Sequence, residues 1–437
     1  MRKFPFIILA LALLAGCSDP VKPPLEGDRL SVLELEKSLT PDNPGEQTQE
    51  FALPKPWNNE FWPQAGGYPN HGMQHLALTN SEGMLEKIWD ADIGAGSDKE
   101  IPLTAQPIVV NQRIFTLDSD ASLRAFDIAN GKLLWKRDVS HLKEDERVVT
   151  GGIGFSAGVL FVTNGYDELV AVDPENGAIL WRQKLAAPSR AAPTIMGGRI
   201  FITTLDNRLL ALDEHDGRLL WEYAGLSETT GLLGSASPAA NHDIVVPVFS
   251  SGEISALRVE NGSVAWSDNL SNLRKIGSLA GISDIKALPV IDQGLVFAIS
   301  FSGKMVAIDE RTGVRVWQRE LGGSETPWLA GNHFFVLTSD NELAAMNRVN
   351  GEIIWVTALP RYQDPEDRKD GILWTGPVLA GNTLLLAGTN GNILHVDPQS
   401  GQIRKTAKTG YRFSIPPLVA GGRLYLLSDD GRLMAFE

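Results

Sequence analysis

An eleven-residue pattern, Ala-x-Asp-x-x-x-Gly-x-x-x-Trp, recurs along this 437-residue chain and limits its fold more than any other feature. Four copies are complete, two lack the Asp, and the last has His395 and Lys405 in place of the Ala and Trp. A unit repeated at a period of about 40 residues is typical of propellers and solenoids. The pattern's Asp, Gly and Trp positions hold Asp127, Gly131, Trp135; Asp173, Gly177, Trp181; Asp213, Gly217, Trp221; Gly262, Trp266; Asp309, Gly313, Trp317; Gly351, Trp355; Asp397 and Gly401.

Two partial copies lie at the ends of this repeated region. The segment LEKIWDADI, with Trp89, supplies only the tail of the pattern, and RLMAFE, which ends at Glu437, supplies only its head. Together they make one more unit, so the chain holds eight. Successive Trp residues from Trp89 to Trp355 are 38 to 51 residues apart, which is the length of a four-stranded propeller blade.

Each unit reads as four short strands separated by turn signals. The Asp side chain can accept backbone N–H bonds in the last turn, the Gly supplies a positive φ, and the Trp can cover the gap between blades. We therefore predict an all-β fold, an eight-bladed β-propeller of four-stranded antiparallel blades. Pairing of N- and C-terminal segments in one blade would close the ring. Two separate β-sandwiches are the alternative, which the continuous period disfavours.

The N-terminus indicates export. Arg2 and Lys3 precede a short apolar stretch and the sequence Leu-Ala-Gly-Cys, which ends at Cys17. This resembles the bacterial lipobox, and the resemblance implies a signal peptide at 1–16, lipidation of Cys17 and, from Ser18, retention in the outer membrane of a Gram-negative bacterium, facing the periplasm. An ordinary secretory signal with an incidental cysteine, or an N-terminal anchor, is the alternative. We expect a tether at 17–55, a pre-propeller segment at 56–84 and the propeller at 85–437.

Charge and cysteine content narrow the function further. A net charge of −14 disfavours nucleic acid and broad contact with anionic lipid, because both need a positive surface. The chain has one cysteine, so the propeller can form neither an internal disulfide nor a cysteine metal site.

The repeat resembles the tryptophan-docking motif of eight-bladed quinoprotein dehydrogenases over residues 85–437, and FWPQAGGYPNHGMQHLAL (61–78) resembles the segment before their propeller. That resemblance would imply pyrroloquinoline quinone (PQQ), held against a disulfide of adjacent cysteines, and calcium. No cysteine lies in this propeller region, so a PQQ-dependent periplasmic dehydrogenase is kept only as an alternative.

The lipobox, the tether and the compact propeller together resemble the BamB family, as do the stretches TTGLLGSASP (229–238) and ISDIKALPVID (282–292). This resemblance implies a scaffold in assembly and insertion of β-barrel outer-membrane proteins, which docks on a BamA-like subunit and serves unfolded outer-membrane clients. Leu232 and Asp284 match the family's pattern, whereas three positions differ from it. The implied partner-binding residues are Thr230, Leu232, Leu233, Asp284 and Lys286.

Other chemistry has little support in the sequence. His71 and His75 are four residues apart, but the surrounding segment is rich in Gly and Pro and offers no third metal ligand. The acidic stretch 361–370 contains interspersed Arg and Lys, which favours a solvated connection over a calcium loop. We predict no enzyme activity, cofactor or metal. A propeller that binds another envelope ligand remains an alternative.

Overall fold

The computed structural model describes residues 38–44, 51–80, 85–141, 147–227, 234–271 and 284–437. The predicted signal peptide, Cys17 and residues 18–37 lie outside the described residues. Residues 40–437 form one compact unit, and the described part of that unit contains strands and turns without helices.

The first half of the unit contains the N-terminal strand and blades 1 to 4, each a four-stranded antiparallel sheet. The strands are β1 (Lys87–Asp92); blade 1, β2 (Ile108–Val110), β3 (Arg113–Leu117), β4 (Ser122–Asp127), β5 (Leu133–Asp138); blade 2, β6 (Gly152–Ser156), β7 (Val159–Thr163), β8 (Glu168–Val172), β9 (Ile179–Lys184); blade 3, β10 (Thr194–Met196), β11 (Arg199–Thr203), β12 (Arg208–Asp213), β13 (Leu219–Ala224); and blade 4, β14 (Ala239–Ala240), β15 (Ile244–Val246), β16 (Glu253–Arg258), β17 (Val264–Asn269).

The second half contains blades 5 to 8 and one separate hairpin. The strands are blade 5, β18 (Val290–Asp292), β19 (Leu295–Ser300), β20 (Lys304–Asp309), β21 (Arg315–Arg319); blade 6, β22 (Trp328–Ala330), β23 (His333–Leu337), β24 (Glu342–Asn347), β25 (Ile353–Ala358); the hairpin, β26 (Tyr362–Asp364), β27 (Lys369–Gly371); blade 7, β28 (Trp374–Ala380), β29 (Thr383–Gly388), β30 (Asn392–Val396), β31 (Ile403–Lys408); and blade 8, β32 (Leu418–Ala420), β33 (Arg423–Leu427), β34 (Arg432–Phe436).

Strand burial follows the position of the strand in its blade. Second and third strands such as β7 and β8 are buried along almost their whole length, because both faces of a blade pack on neighbouring blades. First strands of adjacent blades contact one another around the axis, as β6 and β10 do. Fourth strands form the exposed outer edge, as the largely exposed β31 shows. Stacking around the ring thus buries the apolar residues that fill each strand.

Blade 8 closes the ring. Strand β1 pairs antiparallel with β34, with Trp89 opposite Ala435, and Glu86 and Glu437 exchange two backbone hydrogen bonds of 3.0 Å. The pairing of N- and C-terminal segments and the eight-bladed fold are therefore confirmed.

Residues 57–79, which we call the plug, hydrogen-bond to every blade. Seven of the contacts use backbone groups of the first strands or the turns beside them, and the eighth uses the indole of Trp328 in a first strand, so the plug bonds to all eight blades at their axial edges. In blade order the pairs are Trp62–Val109, Pro63–Phe155, Gln64–Ile195, Pro69–Ala240, Asn70–Ile291, Gln74–Trp328, Leu76–Leu379 and Asn59–Gly421, at 2.7 to 3.1 Å.

The plug belongs to the core of the unit. The side chains of Trp62, Met73 and Leu76 are at most 1% exposed and share a cluster with residues of blades 1, 6, 7 and 8. The Trp62 indole stacks on Trp328 with 6.4 Å between ring centroids, and its Nε1 donates to Gln106 Oε1 at 3.3 Å.

Part of the predicted tether also packs on the propeller. The Asp42 amide donates to the Ile353 carbonyl at 3.0 Å, and its carboxylate pairs with Arg319 at 3.0 Å. The Phe51 ring stacks on His333 at 4.0 Å. The sequence treats residues 17–55 as a spacer, whereas the structure places residues 42 and 51 against blades 5 and 6.

Candidate partner-binding face

The propeller has two different faces. Because strands in a blade alternate in direction, the first and third turns lie at one end, and the second turn and the connection to the next blade lie at the other. The plug bonds to first-turn glycines, as Gly331 N donates to Gln74 Oε1 at 2.9 Å and Gly381 N donates to the Leu76 carbonyl at 2.8 Å. We call this end the plug face and the opposite end the connection face.

In seven of the eight blades the repeat residues form a contact with the next blade. The Trp221 indole of blade 3 donates to the Val259 carbonyl of blade 4 at 3.1 Å. It also covers Gly262, where an added Cβ would lie 2.5 Å from the indole. Trp89, Trp135, Trp181, Trp266, Trp317 and Trp355 make the same two contacts, with Gly131, Gly177, Gly217, Gly313, Gly351 and Gly401.

The Asp residues of the repeat fix the third turn that carries the Gly. The Asp173 carboxylate accepts the Glu175 amide at 2.7 Å, and Gly177 adopts φ +71°. Asp127, Asp213, Asp309 and Asp397 accept turn amides in the same way. In blade 6 Asn347 stands in the Asp position, and its side-chain amide oxygen makes the same bond by accepting the Val349 amide at 2.8 Å.

Lys405 occupies the Trp position of blade 7, and the neighbouring blade explains the substitution. Blade 8 is next in the ring, and its third and fourth strands, β34 and β1, come from opposite ends of the chain. Blade 8 therefore has no third turn and no glycine for an indole to cover.

The described parts of the two candidate contact segments lie on the connection face, residues 234–238 directly before β14 and residues 284–289 directly before β18. Thr230, Leu232 and Leu233 fall outside the described residues. Asp284 and Lys286 are described, and the structure separates them: Asp284 is 6% exposed, whereas Lys286 is exposed.

The described parts of these segments meet. Ala236 and Ile285, at most 2% exposed, share one core cluster. A Cβ on Gly234 would lie 3.5 Å from Lys286 Cε, so the Lys286 side chain passes directly over the first segment. The structure therefore brings residues 234–238 and 284–288 together on one face.

Glu325 extends this site toward blade 7. Burial raises the pKa of Glu325, while the Thr375 hydroxyl, the Lys286 ammonium and the Gly376 amide act in the opposite direction. The carboxylate accepts from Thr375 Oγ1 at 2.7 Å. Sequence reasoning missed Glu325, because its approach to Lys286 depends on the packing of three blades.

Sequence reasoning also missed two exposed leucines of blade 3. Leu226 is 60% exposed and Leu205 is 37% exposed, and both lie on the connection face. Asn207 Nδ2 donates to the Leu226 carbonyl at 2.7 Å, which ties the second turn to the connection that leads into residues 228–233. The available signal was Gly225, at a position where six other units carry an apolar residue.

The other candidate groups have structural contacts. His71 Nδ1 donates to the Pro289 carbonyl at 2.7 Å, and His75 Nδ1 donates to the Pro54 carbonyl at 2.7 Å. The acidic stretch 361–370 forms most of the β26–β27 hairpin. Among the residues that the structure describes, no group of three His, Cys, Asp or Glu could hold a metal ion. In the same ranges, no helix has the length and apolar character to cross a bilayer.

The family comparison decides the identity. The sequence model of the family described as "Outer membrane protein assembly factor BamB" matches residues 119–357 and 362–437, well over half of the chain. The chain belongs to the BamB family. The matched residues include both candidate contact segments, so the family resemblance noted from the sequence is confirmed.

Known BamB proteins are similar over most of this chain. The chain is 26% identical over 355 residues to "Outer membrane protein assembly factor BamB" of Salmonella typhimurium, covering 80% of this chain and 88% of that protein. It is 26% identical over 350 residues to the Escherichia coli K12 protein of the same name, covering 78% and 86%.

Solved structures share the fold. BamB from Moraxella catarrhalis superimposes with a TM-score of 0.67 at 21% identity, covering 81% of this chain and 100% of that chain. Quinohemoprotein alcohol dehydrogenase ADHIIG from Pseudomonas putida HK5 gives a TM-score of 0.64 at 12% identity, covering 87% and 80%. The propeller is thus shared between assembly factors and dehydrogenases, and the fold alone does not separate the two functions.

Proposed function

We propose that this BamB-family chain is a non-catalytic scaffold in the assembly and insertion of β-barrel outer-membrane proteins. It docks on a BamA-like subunit through the connection face, and unfolded outer-membrane proteins are the clients that this role implies. The family match over residues 119–357 and 362–437 is the observation that carries the proposal.

The geometry of the connection face supports docking. Residues 234–238 and 284–288 meet there, with an exposed ammonium at Lys286 above a buried apolar layer that contains Ala236 and Ile285. Exposed apolar side chains and a charged rim around a rigid base are usual in protein interfaces. Thr230, Leu232, Leu233 and Asp284 complete the proposed surface, with Asp284 supporting the base because it is only 6% exposed.

Anchoring belongs to the same proposal. Acyl chains on Cys17 would hold the chain at the periplasmic side of the outer membrane, since two or more chains anchor stably. Mass spectrometry of the N-terminal peptide and membrane fractionation of Cys17→Ser test this. A soluble periplasmic variant is expected, and a wild-type chain without acyl groups would contradict anchoring.

Binding to the periplasmic domains of the BamA-like subunit from the same bacterium tests the docking. Lys286→Glu puts a second carboxylate beside Glu325 and should raise Kd about tenfold, equivalent to about 1.4 kcal/mol. Lys132→Glu is the matched control, because Lys132 is an exposed lysine on the plug face, and its Kd should equal that of the wild type.

Two results would contradict the proposal. One is a wild-type chain that does not bind the purified domains. The other is equal weakening by Lys286→Glu and Lys132→Glu, which would indicate general electrostatics in place of a docking face.

A further inference from the structure

In six blades, the residue four positions after the repeat Trp is apolar and buried. Its side chain is at most 4% exposed and packs where the blade leads into its connection. These buried residues are Ile93, Val139, Leu185, Leu270, Leu321 and Leu359.

Blade 3 departs from this rule. Its equivalent residue is Gly225, and a Cβ there would lie 2.8 Å from the Phe249 ring. Phe249 is 1% exposed and stacks on Tyr223 with 6.2 Å between ring centroids. The space that holds an apolar side chain in those six blades is therefore taken by Phe249, and in blade 3 a leucine follows one residue later as Leu226, 60% exposed.

Leu226 is exposed although its backbone is held on both sides. Its amide donates to Glu253 Oε2 at 2.8 Å, and its carbonyl accepts from Asn207 Nδ2 at 2.7 Å. A leucine fixed in this way keeps its apolar side chain in water at a defined position, which costs free energy that burial against another surface would recover.

Glu253 is a buried carboxylate that is satisfied by hydrogen bonds alone. It is 7% exposed, and no cation among the described residues lies within ion-pair distance of it. Besides the Leu226 amide it accepts from Tyr223 Oη at 2.7 Å and Ser255 Oγ at 3.0 Å. A carboxylate buried without a cation needs such donors, so the connection backbone forms part of its solvation.

The position of Leu226 on the propeller places it next to the proposed docking surface. It lies on the connection face, two residues before the segment 228–233 that contains Leu232 and Leu233. Leu205, 37% exposed, lies on the second turn of the same blade, where its amide donates to the Pro188 carbonyl at 2.9 Å. The exposed apolar surface is thus continuous in sequence with the proposed docking surface.

We propose that Leu226 is a contact residue for the docked partner, seated in an apolar recess of the partner's folded periplasmic domain, and that Glu253 is the residue that positions it. The inference rests on the proposed docking function. It adds a contact at blade 3 to the residues that the family resemblance implies. It also adds what we call the clamp, the two hydrogen bonds by which Asn207 of blade 3 and Glu253 of blade 4 hold the Leu226 backbone.

The contact is tested by Kd of the full chain for the partner's purified periplasmic domains. Leu226→Asp should raise Kd at least about tenfold, because it places a carboxylate in an apolar recess. Leu180→Asp is the control: Leu180 is 51% exposed but lies in the outer strand β9 of blade 2, outside the connection face, and this variant should bind like the wild type.

The clamp is tested by a double-mutant cycle. Glu253→Gln removes the charge and leaves too few acceptor sites for the three donors, so Kd should rise about fivefold. In the Leu226→Asp background the same change should have no further effect, because Glu253 acts through Leu226. Glu168→Gln is the control, since Glu168 starts the third strand of blade 2 and pairs with Arg182 at 2.7 Å, away from the connection to blade 4.

The outcomes separate the two proposals. If the wild-type chain binds and Leu226→Asp binds equally well, the inference is wrong and the docking function stands. If the wild-type chain does not bind, both fail. Weakening by Glu253→Gln that persists in the Leu226→Asp background, or equal weakening by Glu168→Gln, would overturn the clamp.

Discussion

At the scale of single residues, seven of the eight blades are joined to the next by an indole that lies on a glycine. The third-turn glycines have φ from +69° to +74°, and a Cβ on any of them would lie 2.5 to 2.7 Å from the neighbouring Trp. Two requirements therefore exclude other residues here, a left-handed backbone and the absence of a side chain.

Gly262→Ala separates these requirements. Alanine at φ +72° is strained, and its Cβ must also displace the Trp221 indole. Gly294→Ala is the control, because Gly294 has φ +80° and nothing within 4 Å of the added Cβ. Urea unfolding should show that Gly262→Ala lowers the free energy of unfolding by about 1–3 kcal/mol more than Gly294→Ala. Equal losses would mean that the indole contact contributes nothing.

A second prediction concerns Lys405, where blade 7 lacks the indole and blade 8 lacks the glycine. Because blade 8 offers no third-turn glycine, Lys405→Trp should change the free energy of unfolding by less than about 0.5 kcal/mol. Trp355→Lys, at the same position of blade 6, should lower it by about 3–5 kcal/mol. A clear gain in stability for Lys405→Trp would show that the Trp position stabilises a blade without a glycine partner.

The sequence predicts these residues well because their relation is local. Asp, Gly and Trp keep the same spacing within each unit, so the turn and the indole position follow from the pattern. It does not reveal that the indole covers the next blade's glycine. Nor does it reveal that Leu226 is exposed, because that depends on Phe249 of the neighbouring blade filling the space beside Gly225.

At the scale of elements, the plug is the part that the sequence predicts least. Its bonds go mostly to backbone groups of the first strands, which every sequence offers, so no residue type encodes which blade a plug residue meets. The segment's Gly and Pro residues indicate only an irregular path.

The plug nevertheless carries a titratable group with a clear effect. Burial lowers the pKa of His71 to about 4, against an ordinary value of 6.5. The unfolded chain binds the proton first as pH falls, so the stability from neutral His71 is complete above pH 6.5 and is lost as pH falls toward 4. The total loss is about 3 kcal/mol.

His71→Asn removes this titration, and asparagine accepts the positive φ of 59° found there. Unfolding free energies of the wild type and the variant should differ by an amount that changes by about 3 kcal/mol between pH 7 and pH 4. Other groups that titrate in this range cancel in the difference. A difference independent of pH would show that His71 has the same pKa in the folded and unfolded chains, which would contradict the effect of burial.

At the scale of the whole molecule, the ring depends on the pairing of β1 with β34. Deleting residues 432–437 removes the strand that joins β33 to β1 and leaves two unpaired edges, which favour association with other chains. Size-exclusion chromatography should show oligomers or aggregate. Replacing residues 362–371 by Gly-Gly is the control: it removes two strands outside the blades and should leave a monomer with unchanged Tm.

The sequence predicts the eight blades and their closure, because both follow from counting units and matching the two partial copies. It does not predict the docking surface in the same detail. Asp284 and Lys286 look equivalent in the sequence, yet only Lys286 is exposed, because exposure depends on how the connections pack on the blade beneath.

In most repeat folds each unit contacts only its neighbours, so units can be gained or lost with little effect on distant ones. The plug makes this propeller different, because one continuous segment hydrogen-bonds to all eight blades. A duplicated ninth blade would find no hydrogen-bonding group of the plug opposite its first strand. A ring of seven blades would leave one such group of the plug without a partner. The short segment before the first blade therefore restricts the number of repeats that can close into this ring to eight.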